Sequence, residues 1–105
     1  MPKSRKSAAV DTLEGLTGGP LTLGRYIRSI REGEEETQAV FAERLGITPS
    51  HLSDIERGAK TVSLRRAAEW AERLGYSQGL FVQLAIEAEL ANLGLNYTVT
   101  VEPAA

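Results

Sequence analysis

The stretch "TQAVFAERLGITPSHLSDIERG", residues 37 to 58, leaves few ways for the chain to fold. Thr37 and Thr48 carry the short hydroxyl side chains that cap helix N-termini. Pro49 follows Thr48 at a first helical position, where its missing N–H costs nothing. Gly46 supplies a tight turn and Gly58 a stop. Between these signals Ala39, Phe41, Ala42 and Leu45, then Leu52 and Ile55, recur at helical spacing. The text reads as one short helix, a turn through Leu45-Gly46-Ile47, and a second short helix.

The flanks extend the pattern. Thr22 caps a helix "LGRYIRSIRE" with Leu23, Tyr26, Ile27 and Ile30 on one stripe, and Gly33 is expected to end it. Ser63 caps "LRRAAEWAERL", whose Leu64, Ala67, Ala68, Ala71 and Leu74 form a stripe with Trp70 beside it, and Gly75 closes it. Ser77 opens a fifth helix, "QGLFVQLAIEAELANL", with Leu80, Phe81, Leu84, Ala85, Ala88 and Leu93 apolar and Gly94 after it. The last stretch, "LNYTVTV", alternates Leu95, Tyr97, Val99 and Val101 with Asn96, Thr98 and Thr100, which is strand period and composition. A lone strand cannot satisfy its own backbone, so the simplest partner is the same strand of a second copy; the other reading is an extended tail. Residues 1–20, rich in Ser, Gly, Lys and Ala and closing with "TGGP", are expected to form a flexible arm. The division expected is arm 1–20, core 21–75, and a dimerisation segment 76–105 made of the fifth helix and the strand.

Charge sets a tension. The net charge of the 105 residues is −2, where a nucleic-acid binder is usually basic. Residues 1–21 carry three basic and two acidic groups, residues 22–75 nine of each, and residues 76–105 three acids and no base. The acidity therefore gathers behind the helical core, as expected of a binding module followed by a segment with another job. There is no cysteine, which removes disulfides, thiolate metal sites and thiol nucleophiles and suits a reducing cytosol. Lys3, Arg5 and Lys6 precede no apolar run long enough for a signal peptide or a membrane span, so a soluble cytoplasmic protein without membrane contact is expected.

The spacing T-Q-x-x-x-A-x-x-L-G-I-T-x-x-x-L-S-x-I-E-R-G resembles the Cro/C1-type (XRE) family of phage repressors and small bacterial regulators, and residues 22–75 follow that family throughout. The resemblance implies a mainly α fold, a five-helix, lambda-repressor-like helix-turn-helix domain, here with a C-terminal β-strand pairing in a dimer. It implies double-stranded DNA as partner, read as a palindromic operator by a homodimer. Carried over position by position, Gln38, Thr48 and Arg57 fall on phosphate-contacting places, Pro49, Ser50 and Asp54 on base-reading places, and His51 and Ser53 beside them in the major groove. Arg44 and Lys60 would add positive charge, with Arg25, Arg28 and the arm as further sources. Arg31 falls on a residue that pairs with the glutamate before the closing glycine, Glu56, as a structural ion pair.

Two departures matter. "GEEE" stands before Thr37 where the family has an apolar residue, so Glu36 is expected in a solvated acidic loop. Pro49 cannot donate and Asp54 can only accept, so direct base readout is expected to be modest beside phosphate contacts and DNA shape. Ser50, His51, Ser53 and Asp54 invite a catalytic-triad reading, but all lie on one short helix with no oxyanion hole or Gly-rich elbow, so no enzyme is expected. One histidine and no thiol build no zinc site, and no cofactor or metal is expected. Arg65, Arg66 and Arg73 alternate with Glu69 and Glu72 and are expected to form a paired, solvated surface. The order of core, helix and terminal strand is similar to small antitoxins of the HipB and HigA sort. Two functions follow as expectations: a repressor, or an antitoxin that holds a toxin protein and autoregulates its operon.

Overall fold

A computed structural model describes residues 21–104 of the chain. Five helices follow one another: α1 (Leu23–Gly33), α2 (Gln38–Leu45), α3 (Pro49–Glu56), α4 (Leu64–Leu74) and α5 (Gln78–Asn92). Each starts where a hydroxyl can replace a missing carbonyl partner. Thr22, Thr37, Thr48, Ser63 and Ser77 each accept from the backbone N–H three residues on, at 3.1–3.2 Å. Gly46 and Gly75 end α2 and α4 in the left-handed region, at φ 73° and 80°.

The end of α1 differs from the sequence expectation. Gly33 stays within the helix, Glu34 caps it, and the reversal falls on Glu35 at φ 56°. Neighbouring contacts hold that non-glycine residue in place: Glu36 N–H donates to Arg31 O at 3.1 Å, and Arg31 Nη1 donates to Glu36 O at 3.0 Å.

One core joins all five helices. Leu23, Tyr26, Ile27 and Ile30 of α1 meet Phe41, Ala42 and Leu45 of α2, Leu52 and Ile55 of α3, Ala67, Trp70, Ala71 and Leu74 of α4, and Phe81, Leu84 and Ala85 of α5. The fifth helix is therefore part of the same packed unit as the four before it. The stripes overreach at their ends: Leu64, at the start of α4, is 43% exposed, Leu93, after α5, is 73% exposed, and Ala39 faces solvent.

The expected terminal strand is absent; residues 95–104 form no strand. The physical reason is local. Among the described residues no neighbouring strand meets their backbone, and α5 offers a side-chain acceptor instead: Glu87 Oε2 takes the Val99 N–H at 2.8 Å and the Gln83 amide at 3.4 Å. Val101 Cγ2 lies 3.6 Å from where a Cβ on Gly79 would stand. The four residues assigned to one strand face divide accordingly. Val99 and Val101 are half-buried, while Leu95 and Tyr97 are exposed.

Candidate nucleic-acid interface

The outward face of α3 is fixed by what the helix buries. Leu52 and Ile55 sink into the core, fully and nearly fully buried, and Glu56 is buried at the helix end. That leaves Pro49, Ser50, Ser53, Asp54 and Arg57 on the opposite side, at the i, i+1, i+4, i+5, i+8 spacing of one helical stripe. Two contacts fix the turn before α3. The Ile47 N–H donates to Ala42 O at 3.0 Å, and Trp70 Nε1 donates to Leu45 O at 3.1 Å. Behind the helix, Gly24 lets α1 come so close that a Cβ there would stand 2.0 Å from Ile55 O.

A buried polar hub ties α1, α2 and α3 together. Arg31 Nε donates to Glu56 Oε2 at 2.7 Å and Arg31 Nη2 to Glu56 Oε1 at 3.0 Å, while the Gln38 amide donates to the same Oε1 at 3.1 Å. The side chains are 13% and 3% exposed, so this bidentate pair is shielded from solvent. Its hydrogen bonds push the Arg31 guanidinium further above its ordinary pKa, although burial acts the other way. Both carboxylate oxygens of Glu56 accept from a donor, which is what makes a buried carboxylate tolerable.

Residues 27–77 match the family model described as Helix-turn-helix. That segment is a helix-turn-helix domain of the Cro/C1 type. The segment is accordingly a DNA-binding module of the transcription-regulator type, from a family of binding modules rather than of enzymes. Among curated proteins and among solved structures, nothing matches the chain.

The helix-turn-helix domain distributes the expected contact residues unevenly. Thr48, Pro49, Ser50, Arg57 and Lys60 are exposed, and His51, Ser53 and Asp54 are half-buried on or beside the outward face. Thr48 Oγ1 accepts the His51 N–H at 3.1 Å, which leaves its hydroxyl hydrogen able to donate outward. The Gln38 amide is engaged with Glu56, so it would reach a phosphate only by sharing or exchanging that bond. Asp54 is not an isolated carboxylate: Oδ1 meets Arg57 Nη2 at 2.5 Å and Oδ2 lies 3.6 Å from Lys60 Nζ. Arg57 Nε also donates to Ser53 Oγ at 3.4 Å. None of these bonds joins His51 to a serine or to Asp54, so the four polar residues of α3 are not linked as a triad.

Arg44 has a structural job in the helix-turn-helix domain. Its Nη1 donates to Glu34 Oε1 at 2.6 Å and to Glu36 Oε1 at 2.7 Å, and Tyr76 Oη donates to Glu34 Oε2 at 3.1 Å. Its guanidinium also lies 5.2 Å from the centre of the Phe41 ring. The Arg44 hydrogen bond holds the Glu34 carboxyl below its usual range, and Arg44 is raised in return. The acidic loop is thus not simply solvated: Glu36 is half-buried against Arg44 because the chain reversal at Glu35 turns both carboxylates toward α2. Nothing in the local sequence signals a pairing across ten residues of chain.

The α4 surface corrects another expectation. Among the described residues, no ion pair joins Arg65, Arg66 or Arg73 to Glu69 or Glu72. Arg66 instead lies 5.6 Å from the centre of the Trp70 ring, one helical turn on, and Arg73 Nη1 donates to Arg44 O at 3.2 Å. Among the described residues, no His/Cys/Asp/Glu group could hold a metal ion, and no helix is long and apolar enough to cross a membrane.

Proposed function

We propose that the chain is a repressor that binds a palindromic operator as a homodimer, with α3 in the major groove. The observation that carries this reading is the outward face of α3, polar and unburied from Pro49 to Arg57 on a helix otherwise anchored by Leu52, Ile55 and Glu56. Eight residues of helix span about 12 Å, close to the width of the groove. Ser50 and Asp54 then meet base edges, with Pro49, His51 and Ser53 filling the groove around them. Thr48, Arg57, Lys60 and Gln38 meet phosphates, and Arg44 contributes field more than contact because its guanidinium is held by two glutamates. Residues 21–75 supply the reading unit, the arm 1–20 lies outside the described residues, and residues 76–105 supply the dimer contact. Two copies of one small reading unit bury the DNA surface that one cannot.

The dimer contact is proposed at Leu95, Tyr97, Val99 and Val101. Support comes from the exposed large apolar side chains near this segment, Leu93 at 73%, Leu95 at 43% and Tyr97 at 67%, uncovered among the described residues. The same side chains, close in sequence to Glu87, Glu89 and Glu102, favour a second reading in which the segment holds a toxin protein in the manner of HipB- or HigA-like antitoxins. Titration of the protein against its own upstream DNA and a scrambled control, over a range of salt, tests the repressor reading. Gln38→Ala should weaken binding to both duplexes, and Arg57→Ala should weaken binding to the upstream duplex and lower the salt slope there by about 0.9. Ser50→Ala should change preference between them. Equal, weak binding to both by the unmodified protein at every salt would move protein binding to first place.

A further inference from the structure

We infer that Asp54 couples base reading to phosphate binding: its carboxylate holds Arg57 and Lys60 in reserve, and a hydrogen-bond donor on the correct base edge releases them to the DNA backbone. The inference rests on the reading that α3 enters the groove.

The geometry is specific. Asp54 sits on the outward face of α3 with its side chain 24% exposed, while Arg57 and Lys60 are 62% and 58% exposed. The Asp54 backbone carbonyl accepts from Ala59 N–H at 2.8 Å and Lys60 N–H at 3.3 Å, so the loop carrying Lys60 is folded back onto the same residue. One anion thus faces two exposed cations, each of which could otherwise neutralise a phosphate. Exposed pairs of this kind are weak, so the cations can exchange partners without disturbing the core.

Consider what a base edge does to this arrangement. On a sequence that presents an amino donor, such as cytosine N4, Asp54 gains a hydrogen bond and no longer needs its cations. They then swing to phosphates and displace counterions. Where the edge presents only acceptors, releasing Arg57 and Lys60 would leave a bare carboxylate against acceptors and phosphates. The cations stay on Asp54, and the phosphate clamp does not form. An acidic residue at a reading position thereby suppresses binding to wrong sequences, which the near-neutral balance of the domain assists.

The test compares the unmodified full chain with Asp54→Asn and Asp54→Ser on two probes. One is a duplex enriched by the unmodified protein from a random-sequence pool, and the other is its scramble of equal length and composition. For the unmodified chain the salt slope should be steeper on the enriched duplex, by about 0.9 for each cation released. Both variants should bind the scramble roughly tenfold more tightly, with a slope steeper by up to about 1.8, and adding Arg57→Ala and Lys60→Ala should cancel that gain. An unchanged slope on the scramble, with an altered base preference, would overturn the coupling while keeping α3 in the groove. No change in affinity, slope or preference for either variant would overturn both, because it would take α3 out of the groove. Thermal unfolding of each variant separates a folding defect from either result, and the two side chains replace the carboxylate with different volumes.

Discussion

Replacing Gly24 by alanine should damage the protein out of proportion to the one methyl group added. The new Cβ would stand 2.0 Å from Ile55 O and 3.1 Å from Ile55 C. Carbon–oxygen contacts settle near 3.3 Å, so the seam between α1 and α3 must open by about 1.3 Å. The obstacle is backbone, and neither a rotamer change nor a flexible side-chain end can relieve it. Overpacking costs about 1–3 kcal/mol, and the rigid obstacle places this site near the upper end. Alanine's helix propensity returns about 1 kcal/mol. The net loss is then about 2 kcal/mol, or roughly 8–16 °C in Tm for a domain this size. Gly33→Ala is the matched control: it lies in the same helix, and a Cβ there meets nothing within 4 Å, so it should raise stability by up to about 1 kcal/mol. Circular-dichroism melts of the two variants decide the matter. If Gly24→Ala melted as high as Gly33→Ala, the close approach of α1 to α3 would be wrong, and with it the depth at which α3 is seated.

Other perturbations probe different contacts. Glu56→Ala leaves the half-buried Arg31 guanidinium with the Glu36 carbonyl but no counter-ion, so it should cost about 3 kcal/mol in urea unfolding, whereas loss of an exposed pair such as Arg28–Glu32 should cost under about 1 kcal/mol. In acid, the sign follows from Glu34: its folded pKa lies below the ordinary 4.5, so the stability it contributes is present above that value and is lost as pH falls through the lower folded value. Arg44→Ala should flatten that acid limb of the Tm–pH curve. In alkali, desolvation raises Tyr26 above 10.0, so the unfolded chain releases its proton first and stability should decline as pH rises past 10. Truncation after Gly94 should lower dimerisation and DNA affinity together in sedimentation and binding assays; a truncated chain that remained fully dimeric would move the interface to α5.

Much of this architecture is legible in the sequence because its signals are local. Each of the five hydroxyl caps acts within three residues of itself, and the stripes that bury Phe41, Leu52, Trp70 and Phe81 repeat at the helical period. What escaped depends on distance or context. Gly33 and Glu35 exchange roles because Arg31 and Arg44 hold the loop from outside it. The closeness demanded of Gly24 is set by the backbone of α3, about thirty residues away in the chain. "LNYTVTV" has the composition of a strand, but composition supplies no partner, and Glu87 takes one of its amides. At the candidate interface the outward residues of α3 could be picked from the motif. The bond between Asp54 and Arg57 was available in their i, i+3 spacing, yet the sequence alone does not say whether either side chain prefers its neighbour to a nucleic acid.

Trp70 is the sole tryptophan of the chain, and its indole N–H is fastened to the last carbonyl of α2, at the entrance to the turn. The molecule therefore carries its own optical gauge for that junction. Emission from a ring 2% exposed and overlain by Arg66 will shift to longer wavelength when α4 parts from the turn, whatever happens at the ends of the chain. A ligand that seats on α3 without moving this junction will leave the colour unchanged. One that loosens the joint behind the reading face will announce itself in the spectrum before the helices melt.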